Sequence, residues 1–140
     1  MIEHLPAFYV SLVLFLASTG VPVAIIGPDI SVTVGDRATI SCAVTGYPLS
    51  TAISWLKIAN GVRTNVDVSQ ARFSGGTVSV PSLTITSVET SDEGDYQCSA
   101  TNILGTSQSG TAYLDVLGSK WNVLLVTIIC HHASHYGALT

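Results

Sequence analysis

The sequence predicts an all-β fold in which two antiparallel sheets pack as a sandwich, and three observations predict it. Apolar and polar side chains alternate with a period of two through the central segments. Turn-forming residues separate those segments at short intervals, and no central window of helical length carries a convincing apolar stripe. Serine and threonine supply 25 of the 92 residues from 27 to 118. On the solvent face of antiparallel strands, hydroxyl and β-branched side chains take the place that charge holds elsewhere.

Taken from the N-terminus, residues 7–17 (AFYVSLVLFLA) are eleven positions without a charge, followed by Ser18-Thr19-Gly20. A bilayer-spanning helix needs about 20 apolar residues and a signal-peptide core about 7–15, so length favours a secretory signal over residues 1–20. Small side chains at Ser18 and Gly20 suit cleavage after Gly20, although Glu3 and His4 stand where basic residues are expected. The alternative is a signal anchor continuing through residues 21–26, which Pro22 and Gly27-Pro28 interrupt. Gly27-Pro28 marks a kink early in the first strand, because proline cannot donate to a ladder.

The strands follow in order. Ala38, Ile40, Cys42 and Val44 alternate with Arg37, Thr39 and Ser41, and Ile53 and Trp55 alternate with Ala52, Ser54 and Leu56. Asn60-Gly61 then stands before residues 62–66, and this dipeptide is preferred in a two-residue hairpin of the right twist. Leu83 and Ile85 alternate with Ser82, Thr84 and Thr86. Tyr96, Cys98 and Ala100 alternate with Asp95, Gln97 and Ser99, and Leu114 and Val116 lie in the last strand with Tyr113. Gly46-Tyr47-Pro48, Gly75-Gly76, Asp92-Glu93-Gly94 and residues 102–105 supply the other turns.

Three cysteines remain. In an oxidising compartment Cys42 and Cys98 can bridge while Cys130 is left over. Closing that loop of 56 residues removes about 4 kcal/mol of unfolded-chain entropy, a large share of a small domain's stability of roughly 5–15 kcal/mol.

Cys42, Trp55 thirteen residues later, Leu83 in SLTI, and the run Asp92-Glu93-Gly94-Asp95-Tyr96-Gln97-Cys98 together resemble the immunoglobulin superfamily over roughly residues 22–118. The continuation through Asn102 and Gly105 to Leu114-Asp115-Val116 is similar to the intermediate, I-set type of adhesion and matrix proteins. The resemblance implies Greek-key connections, a Cys42–Cys98 bridge between the sheets and Trp55 covering the sulfurs. It also implies a tight turn at Gly94, a structural corner at Tyr96, and a structural ion pair of Arg72 with Asp92. A variable-type domain would carry a Gly-x-Gly pair early in its last strand, which residues 106–110 lack, so antigen-receptor function is not expected.

Composition excludes other functions. The 140 residues contain 14 charged ones, 10% against a usual figure of about 25%, with net charge −4 and 47% apolar residues. Nucleic-acid binding needs a basic surface and disorder needs high charge with low hydrophobicity, so neither fits. No enzyme is expected: the histidines are His4, His131, His132 and His135, all at the ends, which leaves the central domain without a Ser–His or Cys–His pair. Glu89, Asp92, Glu93 and Asp95 cluster near one turn and are read as a solvated turn rather than a calcium site. Cys130, His131, His132 and His135 lack zinc-site spacing. No cofactor, metal or small-molecule substrate is therefore expected.

After Gly118 the fold requires nothing more. Residues 121–130 (WNVLLVTIIC) span about 15 Å as a helix, half a bilayer core, so residues 119–140 read as an apolar, poorly ordered tail or the foreign end of a truncated protein with several such domains. Membrane association is expected only with an uncleaved N-terminal segment or in a longer isoform. The resemblance thus implies a secreted or cell-surface domain that binds other proteins, homophilically or heterophilically, through the Asn102–Thr106 hairpin (Asn102 and Gly105 in its turn), the Asn60-Gly61 hairpin and the strand face between them. The competing expectation is a spacer domain with no ligand of its own, and an intracellular module with reduced cysteines is disfavoured by residues 7–17.

Overall fold

Alternation in the sequence becomes alternation of burial in the computed structural model, which describes residues 19–118. The expected signal segment up to residue 18 and the tail from residue 119, with Cys130 and all four histidines, lie outside the described residues. Eleven strands occur among the described residues: β1 (Val23–Ile26), β2 (Ile30–Thr33), β3 (Ala38–Ile40), β4 (Cys42–Thr45), β5 (Ala52–Ala59), β6 (Val62–Asn65), β7 (Phe73–Gly75), β8 (Leu83–Ile85), β9 (Gly94–Asn102), β10 (Gly105–Gln108) and β11 (Ala112–Leu117). One 3₁₀ turn, Thr90–Asp92, precedes β9.

One layer is the β3-β8-β7 sheet with the β1-β4 pair continuing it; the other runs β2-β11-β9-β5-β6, with β10 also on β9. Strands β3 and β4 are a single run interrupted at Ser41, where the ladder is replaced by two local bonds. The Gly27 N–H donates to the Ser41 carbonyl at 2.9 Å, and the Cys42 N–H donates to Ser82 Oγ at 3.1 Å. Strand β9 alternates at every position from Gly94 to Asn102, even members buried and odd members half-exposed. Ile40, Trp55, Leu83, Ile85, Val88, Tyr96, Leu114 and the cysteines form the shared core. Burying side chains of this size stabilises by about 1.5–3 kcal/mol each relative to exposure.

The kink expected at Gly27-Pro28 is a change of sheet. Strand β1 pairs antiparallel with β4, whereas β2, three residues further on, pairs parallel with β11, Ile30 opposite Leu114. A Cβ on Gly27 would stand 2.0 Å from Ser41 Oγ, so a larger residue at the crossing would have to turn the Ser41 side chain aside. Every other strand-to-strand pairing among the described residues is antiparallel, and an isolated bridge between Thr19 and Tyr47 is parallel. The parallel pair is invisible to period-two reading, which gives the faces of a strand and not its neighbours.

Candidate functional site

The loops of the two ends are mounted on a rigid centre. Cys42 and Cys98 form a disulfide across the layers, Cα atoms 6.6 Å apart. Trp55 lies directly opposite Cys98 in the β5–β9 register and is buried. Its indole N–H donates to the Pro81 carbonyl at 2.9 Å, which satisfies the one polar group that so large an apolar body carries inside. Leu83 is buried in the same cluster.

Below this centre, the turn before β9 gathers the remaining core-mounting groups. Tyr96 donates its hydroxyl to the Asp92 carbonyl at 2.8 Å, four residues upstream. Burial, reinforced by the Asp92 charge, pushes the Tyr96 phenol well above its ordinary range. Arg72 Nη2 lies 2.5 Å from Asp92 Oδ2, and the same carboxylate oxygen accepts the Glu89 N–H at 2.7 Å. The Arg72 guanidinium also reaches the Ser87 carbonyl at 3.2 Å and stands 5.2 Å from the centre of the Phe73 ring. Gly94 has φ 147°, a region that side chains disfavour, and a Cβ there would sit 2.9 Å from the Ile58 carbonyl oxygen. Glu93 accepts from the Tyr113 hydroxyl at 3.1 Å, and that bond raises the Tyr113 pKa. Of the four clustered acids, Asp92 is thus bound to Arg72 and Glu93 to Tyr113. Among the described residues no group of three or more His, Cys, Asp or Glu side chains is placed to hold a metal ion.

The loops named as contact regions lie at opposite ends. Asn60 and Gly61, with φ of 51° and 76°, form the two-residue turn between β5 and β6, next to Ile58, Glu93 and Asp95 in a polar cleft. Asn102 and Gly105 flank the turn between β9 and β10 at the other end. Asn102 is buried and its amide is fully engaged. Its Nδ2 donates to the Gly20 carbonyl at 2.8 Å and to the Pro48 carbonyl at 2.9 Å, while its Oδ1 accepts the N–H groups of Leu104 at 2.8 Å and Gly105 at 3.2 Å. A Cβ on Gly105 would meet Val21 at 2.9 Å, so the turn is held against the N-terminal strand.

The apolar tips carried by this end went unnoticed in the sequence. Ile103 is 84% exposed, Leu49 76% and Leu104 55%. Ile103 and Leu104 are neighbours in one turn, and only folding places them at the same end as Leu49. Ser109 was missed too: its hydroxyl accepts the Cys98 N–H at 3.1 Å and donates to the Gly110 carbonyl at 2.7 Å, where the last strand breaks between β10 and β11.

A two-layer sandwich with its layers joined by a disulfide, a buried tryptophan beside it and a tyrosine corner before the second cysteine is the immunoglobulin class of domain. The chain belongs to that family: the immunoglobulin-domain family model matches residues 22–102. It is 42% identical over 88 residues to Protein amalgam of Drosophila melanogaster, covering 59% of this chain and 25% of that protein. It is 30% identical over 111 residues to human ADAMTS-like protein 3 (79% of this chain, 6% of that one), and 34% identical over 97 residues to mouse Hemicentin-1 (67% and 2%). The chain thus spans a quarter or less of these curated relatives. Among solved structures, the tandem Ig repeats of Dlar superpose with a TM-score of 0.59 at 34% identity, over 72% of this chain and 50% of that one. The N-terminal Ig1-2 module of the Drosophila receptor protein tyrosine phosphatase DLAR gives 0.57 at 33% identity, over 71% and 47%.

Proposed function

We propose that this domain is an extracellular protein-recognition module of the adhesion or matrix type, without catalytic activity. The observation that carries the reading is the turn between β9 and β10. Ile103 and Leu104 project into solvent from a base that Asn102 fastens with four hydrogen bonds. An apolar tip on a rigid mount loses little conformational entropy on binding, which is how a small contact gains affinity. The disulfide supports an oxidising compartment, because such bridges persist outside the reducing cytosol. Among the described residues no helix is long and apolar enough to cross a membrane. The I-set reading has support in strand number: β6 adds to the sheet of β5, β9 and β11, as in a variable-type domain, but no further strand follows it.

A spacer role is the second reading, favoured by the likeness to tandem repeats and by the small share of each relative that the chain covers. A binding screen of the secreted chain against extracellular proteins and against itself separates the two. Recognition predicts at least one partner whose binding is lost in Ile103→Asp. A screen without partners, or partners indifferent to Ile103→Asp and Leu104→Asp, would refute recognition through this turn and leave the spacer reading.

A further inference from the structure

The described domain is electrically lopsided. Its twelve charged residues are Asp29, Asp36, Arg37, Lys57, Arg63, Asp67, Arg72, Glu89, Asp92, Glu93, Asp95 and Asp115, eight acidic and four basic, a net of −4. Residues 19–28, 38–56, 73–88 and 96–114 carry none. These uncharged stretches supply all the loops of one end: the loop from β4 to β5, the turn from β7 to β8, the turn from β9 to β10, and the segment entering β1.

That end is also apolar and continuous. Leu49 and Val78 line one cleft with Val44, Ile53 and Pro81. Asn102 ties the Pro48 carbonyl beside Leu49 to the Gly20 carbonyl beside Val21 and to the Leu104 N–H. Val21, Tyr47, Leu49, Val78, Val80, Ile103 and Leu104 are all exposed there. Seven such side chains together present on the order of several hundred Å², the size of patch that on a soluble monomer often marks a contact site.

We propose that this uncharged end docks on the same end of a second copy of the chain, in an end-to-end pair with two-fold symmetry. The proposal deepens the recognition reading by naming one partner for its apolar turn. Charge selects that partner and that geometry. Two copies meeting at the opposite, charged end would have to desolvate Glu93, Asp95 and Lys57 together with the Arg72 cluster that holds Glu89 and Asp92. Meeting at the loop ends desolvates no charged side chain and places the charged ends as far apart as the molecule allows. An isologous contact needs a patch complementary to itself, and an uncharged apolar surface meets that condition.

The test is sedimentation equilibrium on the purified protein, its N-terminal residue established by mass spectrometry, over a wide concentration range. Wild type should show a reversible monomer–dimer equilibrium. Leu49→Asp and Ile103→Asp should each weaken it about tenfold or more, since each buries an unpaired charge in the contact. Leu49→Ser and Ile103→Ser should weaken it in the same direction with no new charge. Val62→Asp, an equally exposed valine beside the Asn60-Gly61 turn of the opposite end, should leave it unchanged. A wild-type monomer at every concentration would overturn the proposal, as would a dimer that both Asp variants leave intact or that Val62→Asp weakens equally. Partition of the monomer onto neutral phosphatidylcholine vesicles, without dimers, would assign the patch to lipid and overturn it as well. None of these failures touches heterophilic binding in the screen above, so the two readings fail separately.

Discussion

Breaking the Arg72–Asp92 contact should cost more than a surface ion pair and less than a fully buried one. The Asp92 side chain is only 7% exposed and holds two donors, Arg72 Nη2 at 2.5 Å and the Glu89 N–H at 2.7 Å; the Arg72 side chain is 28% exposed. Hydrogen bonds to a charged group contribute about 1.5–3 kcal/mol each, so Asp92→Ala, which removes both and leaves a half-buried guanidinium, should destabilise by about 3–4 kcal/mol. Arg72→Ala also loses the Ser87 carbonyl bond and the stack on Phe73, and should cost about 3 kcal/mol. The double variant should cost about 2 kcal/mol less than the sum of the singles, which is the pair's own coupling. Breaking fully buried pairs costs about 3–5 kcal/mol and exposed pairs are worth about 0–1, so the exposed quarter of Arg72 sets the intermediate figure. Urea unfolding followed by tryptophan fluorescence measures all four proteins, with Trp55 in the core as reporter. Arg72→Lys should recover only part of the loss, because a point charge cannot also reach Ser87 as the guanidinium fork does. A coupling below about 0.5 kcal/mol, or an Arg72→Ala midpoint equal to wild type, would refute the reasoning.

Other consequences can be measured on the same domain. The Tyr96 phenol is raised by burial, so above pH 10 the unfolded chain releases a proton that the native chain retains. Stability is therefore full below that pH and falls above it by up to about 1.4 kcal/mol per pH unit for this group. Tyr96→Phe should flatten that alkaline slope while lowering stability at neutral pH by about 1–2 kcal/mol through the stranded Asp92 carbonyl; equal slopes between pH 8 and pH 11 would contradict this. Replacing Cys42 and Cys98 together by alanine should cost about 4 kcal/mol from loop entropy, seen as a lowered urea midpoint. Ser109→Ala leaves the buried Cys98 N–H without its acceptor and should cost about 1–3 kcal/mol, with faster hydrogen exchange at Cys98 as the specific sign.

Sequence reading reached those parts of the fold that local chemistry determines. Alternation placed Ala38, Ile40, Cys42, Trp55, Leu83 and Leu114 on inward faces because a strand shows its two sides directly in the order of residues. Asn60-Gly61 was legible because a turn with two positive φ angles admits few other residues. Strand neighbours were not legible. The kink at Gly27-Pro28 could be read from proline, but not that β2 would settle parallel to β11, since that depends on space left by a distant strand. The break of the last strand at Ser109 depends on the Cys98 N–H, eleven residues away, and has no period. The loop end escaped for the same reason: Leu49, Val78 and Ile103 are isolated in sequence, and only the sandwich makes them one surface.

The passage of the first strand between layers matters mechanically. Because β2 and β11 run parallel, side by side, near the start and the finish of the domain, tension applied at the two ends draws them in opposite directions along their length. The bonds between Ile30–Thr33 and Leu114–Leu117 then bear the load together, in shear, instead of opening one after another. In a domain of this construction the pairing that bears the load is the one the chain makes only after it has crossed between the layers at Gly27-Pro28.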